Sequence, residues 1–303
     1  MLNGKLIVFA YKLASSLIKA IPNHLLSKVS NVLGRVAYRL SSDKKVLVKR
    51  NMLRVHKGQI TNLEIDQKTK QAFVSYAKYW IDSAKMQSLT DYHIDAGFTV
   101  EGFEHIENAW SEGPGPILAL PHLGGWEWAG RWLTCRPKFE VTVVVEPQQP
   151  KELFEFMMSY RESFGMNVIP LGPNAGKEVI KAIKSNHVVC LLCDRDIEGT
   201  GVKVSFFGEE TTIPAGPATL SIRTGAKIIP VAVYQRARSH HAIVRPPLNS
   251  ERQGNLREDV TRISQDIASS FEELILLEPE QWHLMSPNWP SDHEALRKHH
   301  RKS

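Results

Sequence analysis

Cysteine is scarce in this chain of 303 residues. Cys135, Cys190 and Cys193 are too few and too unevenly spaced to staple a fold, which fits a reducing compartment such as the cytoplasm. Cys190 and Cys193 have the spacing of a redox or zinc pair, yet they lie inside the apolar run HVVCLLC with no second pair. They read as small side chains on a buried strand. Long uncharged apolar runs are missing as well. Along the N-terminal apolar stretches no window of about 20 residues avoids lysine or arginine, so no transmembrane helix is expected there, and these stretches lack the small-residue cleavage site of a signal peptide. There is no Gly/Ser linker, low-complexity tract or internal repeat to mark a boundary between globular units. Several catalytic signatures are absent. Without G-x-S-x-G there is no serine nucleophile of the α/β-hydrolase kind. The segment 172–177, GPNAGK, is one residue short of a phosphate-binding loop and is followed by Glu178 where Ser or Thr is required. With no H-E-x-x-H and no convincing ligand cluster, no metal is expected.

What the chain does have is a surplus of basic residues, 38 Lys and Arg against 32 Asp and Glu, for a formal charge of +6. That favours an anionic partner. The basic residues are dispersed and match no nucleic-acid motif, so nucleic acid is not expected. They are densest in the first 54 residues and in the tail RKHHRKS, which reads as a solvated end. Over 5–21 the apolar residues Leu6, Phe9, Ala10, Leu13 and Leu17 fall at helical spacing, while Lys5, Lys12 and Lys19 recur along another face. Pro22 stops this amphipathic helix. Asn23 is placed to cap a second one, with the stripe Leu26, Val29, Leu33, Val36, Leu40 beside Lys28, Arg35 and Arg39. These helices either pack on the core or lie in the headgroup region of an anionic membrane. Residues 1–41 are thus a membrane-interface arm ahead of a domain over 42–303.

In that domain short apolar runs alternate with helical patterns. Strands buried on both faces are expected at 117–120, 141–145, 168–170, 188–192 and 228–233. Helices are expected at 126–135, 150–164, 174–186, 214–224 and 255–276. The pattern predicts an α/β fold, an αβα sandwich around a mainly parallel sheet. In such sheets ligands bind beyond the carboxyl ends of the strands, where PHLGGWE, Glu146 and Asp194-Arg195-Asp196 stand. His122 follows the first strand, and Gly124 and Gly125 allow a sharp fold before the helix. Across that junction Glu127 is expected to hold one imidazole nitrogen, leaving the other as a general base toward a hydroxyl. With no serine machinery, direct attack of that hydroxyl on an acyl thioester is the economical chemistry. Amides at the Gly124-Gly125 turn or the helix start are candidate oxyanion donors.

PHLGGWEWAG, with its H-x4-(D/E) spacing, then YRESFGMNVIPL, then CDRDIEGTGVKVSFFGEETTIPAGPATLSIRTGAKIIPV, resemble in order the lysophospholipid acyltransferase-like family of bacterial lipid A acyltransferases and phosphatidylinositol mannoside acyltransferases. The resemblance covers most of the chain. QWHLMSPNW near the end, with Trp282, Pro287 and Trp289, is closer to the mannoside branch. The resemblance implies a peripheral enzyme on the cytoplasmic face of the inner (plasma) membrane. It would move a fatty acyl group, palmitoyl in type, from acyl-CoA as co-substrate to a mannose hydroxyl of a phosphatidylinositol mannoside. It implies His122 as base and Glu127 as its partner, where mannoside enzymes often carry the shorter Asp. Glu146 would lie near the acceptor and Arg161 would organise the site. Asp194 stands where mannoside enzymes tend to have Glu and lipid A enzymes Asp. Alternatives are a lipid A-type enzyme using acyl carrier protein, a thioesterase, and a non-catalytic membrane-binding protein of the same fold.

Overall fold

The computed structural model describes residues 4–135, 139–196 and 199–301, apart from the Asn23 side chain. Four helices open the chain: α1 (Gly4–Ala20), α2 (Asn23–Leu40), α3 (Ser42–Val55) and α4 (Asn62–Met86). The cap residue of α2 is Pro22, so Asn23 is its first helical residue and not its cap. α4, the longest, begins with a capping box in which Thr61 and Glu64 satisfy each other's backbone amides. Then follow α5 (Asp91–Ala96), β1 (Phe98–Glu101), α6 (Glu104–Glu112), β2 (Ile117–Leu120), α7 (Trp126–Cys135), β3 (Val141–Val145), α8 (Lys151–Glu162), β4 (Met166–Pro170), α9 (Ala175–Lys184) and β5 (Val188–Leu192). A hairpin, β6 (Val202–Phe206) and β7 (Glu209–Ile213), leads to α10 (Gly216–Thr224), β8 (Ile228–Gln235), β9 (His240–Val244), α11 (Leu256–Leu277) and α12 (Pro290–His300).

The main sheet has the order β1-β9-β8-β2-β5-β3-β4. Its five central and right-hand strands, β8-β2-β5-β3-β4, are parallel, and β9 turns back antiparallel on β8 with β1 parallel beside it. Alternation along β2 divides the core. Ile117 and Ala119 join an apolar cluster with α9, α10 and α11, whereas Leu118 and Leu120 face the opposite layer with Trp128, Ala129, Trp132 and Leu133 of α7. The expected αβα sandwich is therefore the fold.

The arm has two different sides. Inward, α1 seats the Tyr11 ring against Trp80 of α4 and Phe156 of α8, and Lys85 of α4 donates to the carbonyls of Lys19 and Ile21 at its end (2.7 and 3.0 Å). Outward, Leu6, Phe9, Leu13 and Leu17 of α1 and Val32, Leu33, Val36 and Leu40 of α2 are exposed. The two readings of these helices are thus compatible, one face packing and the other open. No helix among the described residues is long and apolar enough to cross a membrane. The basic tail is not a loose end up to His300: it continues α12, and the His300 imidazole lies 2.9 Å from Asp43.

On the α7 side of the sheet an apolar cavity runs beneath α7. Every strand of the main sheet contributes to it, from Met166 on β4 to Phe98 on β1, and its polar lining includes the Glu127 carboxylate and the Arg161 guanidinium. Cys190 also lines it, and burial pushes that thiol up to about 12, which keeps it an unreactive apolar side chain. The three cysteines are free.

Candidate active site

Parallel register builds the centre of the site. β2 and β5 are neighbours and pair Leu120 with Leu192, so the residues two positions beyond each, His122 and Asp194, arrive side by side at the carboxyl edge of the sheet. His122 Nδ1 lies 2.5 Å from Asp194 Oδ1, and the His122 backbone N–H donates to Oδ2 (3.1 Å). The indole N–H of Trp282 donates to the same Oδ2 (2.8 Å). Asp194 is wholly buried. Burial pushes its carboxyl up, but the charge and hydrogen bonds of His122, with the indole, outweigh this and hold it below its ordinary range. An ionised carboxylate only accepts, so Nδ1 carries the proton and Nε2 presents the lone pair. The imidazole is 18% exposed.

The loop that carries His122 is pinned by backbone. Gly124 N–H donates to Gln281 O (2.9 Å), Gly125 N–H to Val233 O (3.0 Å), and His283 N–H to His122 O (2.7 Å). Gly124 has φ +61°, and a Cβ there would run into the Val233 carbonyl. Both glycine amides are consumed by this pinning, so the oxyanion donors expected at the Gly124-Gly125 turn are not available there.

Glu127 does not hold His122. It is buried in the first turn of α7, and its carboxylate accepts from Arg161 Nε (3.0 and 3.2 Å to the two oxygens), from a terminal Arg161 nitrogen, and from the Tyr79 hydroxyl (3.3 Å). Two things decide the matter. A buried carboxylate requires a cation, which α8 supplies, and the position beside Nδ1 is already filled by Asp194 through strand register. Trp126 intervenes, with its ring edge-on to His122 at 5.6 Å and stacked on Tyr79 at 4.2 Å. Burial works against the Arg161 charge, but Glu127 more than compensates and holds that guanidinium above its ordinary value.

Glu146, one residue past β3, pairs with Arg195 (3.2 Å), whose other terminal nitrogen donates to Ser286 (3.3 Å). His122, Asp194 and Glu146 thus gather at adjacent strand ends, while Arg161 and Glu127 sit at the cavity wall. Among the described residues no group of three or more metal-ligating side chains converges.

Two site residues had no role assigned from sequence. Trp282 is one, and His283 is the other. Ser75 Oγ donates to Gln235 Oε1 (3.0 Å), so its lone pair must accept from His283 Nε2 (2.8 Å). Burial and the nearby His122 charge push His283 down to about 3, and its neutral ring packs against Tyr76 and Trp126. The signal for both lay in QWHL, which forms a bridge between Trp282 and Leu123.

A family model for bacterial lipid A biosynthesis acyltransferases matches residues 2–291. The chain is 32% identical over 294 residues to a phosphatidylinositol mannoside acyltransferase of Mycolicibacterium smegmatis, covering 96% of this chain and 94% of that one. It is 35% identical over 229 residues to the phosphatidylinositol mannoside acyltransferase of Mycobacterium tuberculosis, covering 74% and 71%.

Proposed function

The chain belongs to the bacterial lipid A biosynthesis acyltransferase family, and from that membership and the site's geometry we propose that it transfers a fatty acyl group from acyl-CoA to a mannose hydroxyl of a phosphatidylinositol mannoside at a membrane surface. The observation that carries this reading is the His122–Asp194 pair standing at the sheet edge beside an apolar cavity. Nε2 of His122 takes the proton of the acceptor hydroxyl, whose oxygen attacks the thioester carbonyl. The tetrahedral intermediate collapses as its C–S bond breaks, the departing thiolate takes the proton back from Nε2, and Asp194 stabilises the imidazolium formed in between. The acyl chain, palmitoyl in type, occupies the cavity beneath α7, and Glu146 with Arg195 meets the polar acceptor. Glu127 and Arg161 hold α7 and α8 together at the cavity wall and take no proton. The exposed apolar faces of α1 and α2, flanked by lysine and arginine, rest on anionic lipid on the cytoplasmic face, where a diacyl acceptor is delivered by the bilayer.

The test incubates the purified protein with labelled palmitoyl-CoA or palmitoyl-acyl carrier protein and anionic liposomes containing mannosylated phosphatidylinositol or under-acylated lipid A. Labelled acyl mannoside from the CoA donor, lost in His122→Ala, is the expected result. Transfer that survives that substitution sinks the mechanism. Product confined to lipid A would move the acceptor, and product confined to free fatty acid would make the protein a thioesterase.

A further inference from the structure

We infer that Trp282 is a positioning residue that sets the basicity of His122 through Asp194; the inference rests on the base assigned to His122 above. Asp194 receives three donors, two from His122 and one from the Trp282 indole. The indole N–H is a donor only, and it stays neutral at every working pH. Each hydrogen bond to a carboxylate disperses its charge. By occupying Oδ2, Trp282 weakens the hold of Asp194 on the imidazolium and so favours the unprotonated ring relative to a carboxylate without that donor. A general base must be unprotonated to act.

The indole has no freedom to leave. Trp282 is 1% exposed, and its ring packs against Phe206, Phe207 and Trp289 at 5.6–6.2 Å. Its backbone bridges Leu123, and its neighbours Gln281 and His283 bond the backbone of Gly124 and His122. The C-terminal strap therefore fixes the loop that carries the base and the donor that tunes it in one piece of chain. Trp289 offers an internal control. It lies in the same aromatic cluster, but its N–H goes to the Phe206 carbonyl (3.3 Å) and not to Asp194.

The experiment measures kcat/KM against pH for the wild type, Trp282→Phe, Trp289→Phe and a variant with 3-benzothienylalanine at position 282, which keeps the indole shape and replaces N–H by sulfur. The acid limb moves to higher pH by about one unit in both position-282 variants, the scale on which one hydrogen bond to a charged group moves a titration. It stays in place in Trp289→Phe. If Trp282→Phe fails to fold, the benzothienyl variant decides. An unmoved limb in that variant, or an equal shift in Trp289→Phe, overturns the inference. Full activity in His122→Ala would overturn the underlying base assignment instead.

Discussion

Arg161 grips the carboxylate of Glu127 across the wall of the apolar cavity, and this buried ion pair removes the acidic residue of the H-x4-E motif from the base it was expected to orient. The motif's two ends therefore do separate work, His122 with Asp194 and Glu127 with Arg161.

Substitutions distinguish the two pairs. On the proposed mechanism Asp194→Asn keeps the volume and removes the charge that would steady a His122 imidazolium, so kcat falls by roughly 10²–10⁴-fold with little change in folding cooperativity. Glu127→Gln strands a buried guanidinium, and urea denaturation reports a loss of about 3–5 kcal/mol. Converting both Glu127 and Arg161 to Gln costs less than the two single changes added together, since neither leaves a charge unpaired. Additive losses in that cycle would mean that the pair is uncoupled.

Gly124→Ala tests the pinning of the loop. The left-handed backbone and the Val233 carbonyl both oppose a methyl group, so thermal unfolding shows a loss of about 2 kcal/mol or more, together with most of the activity. Gly176, inside α9 with open space around its Cα, is the control. Its replacement by Ala leaves activity intact and stabilises the protein by about 0.5–1 kcal/mol.

Much of this architecture is legible in the sequence because the central strands are short apolar runs with polar residues at their ends. The observed β2, β3 and β5 have the expected bounds, as does α7. β1 and β9 escape notice because FTVE alternates polar with apolar residues and HHAIV opens on two histidines, leaving only three apolar residues in a row; they pair with each other and β9 with β8. The site is half legible for a related reason. His122 and Asp194 both stand out as polar residues after strands, but chain order places β3 and β4 between them. Only the spatial order, with β5 beside β2, makes them partners. Five residues of spacing said nothing about Arg161, which reaches Glu127 from a different helix.

The outward face of α1 predicts a lipid contact that folding does not need. Phe9 is 62% exposed, and Leu13 is exposed one turn on. Changing both to Ser leaves the melting temperature within about a degree and lowers co-sedimentation with anionic vesicles at least tenfold, since each side chain contributes about 1.5–3 kcal/mol when fully buried in an apolar phase. Unchanged sedimentation would remove α1 from the membrane contact.

His283 makes stability depend on pH below neutrality. Its folded value of about 3 lies below the unfolded value of 6.5, so the unfolded chain binds the proton first as pH falls. Its contribution is fully present above about pH 6.5 and is lost progressively toward pH 3, at about 1.4 kcal/mol per pH unit through that window. Buried His240, also held below its ordinary value by burial against the pull of Asp82, acts in the same sense. The depressed carboxyls Asp194 and Asp292 add their own loss only nearer pH 4 and below, where the unfolded carboxyls begin to protonate. Urea midpoints measured between pH 7 and 5 therefore isolate the histidines. His283→Phe makes that slope shallower while costing stability at pH 7, because Ser75 then loses its imidazole partner. An unchanged slope in that variant would mean that position 283 does not titrate on unfolding.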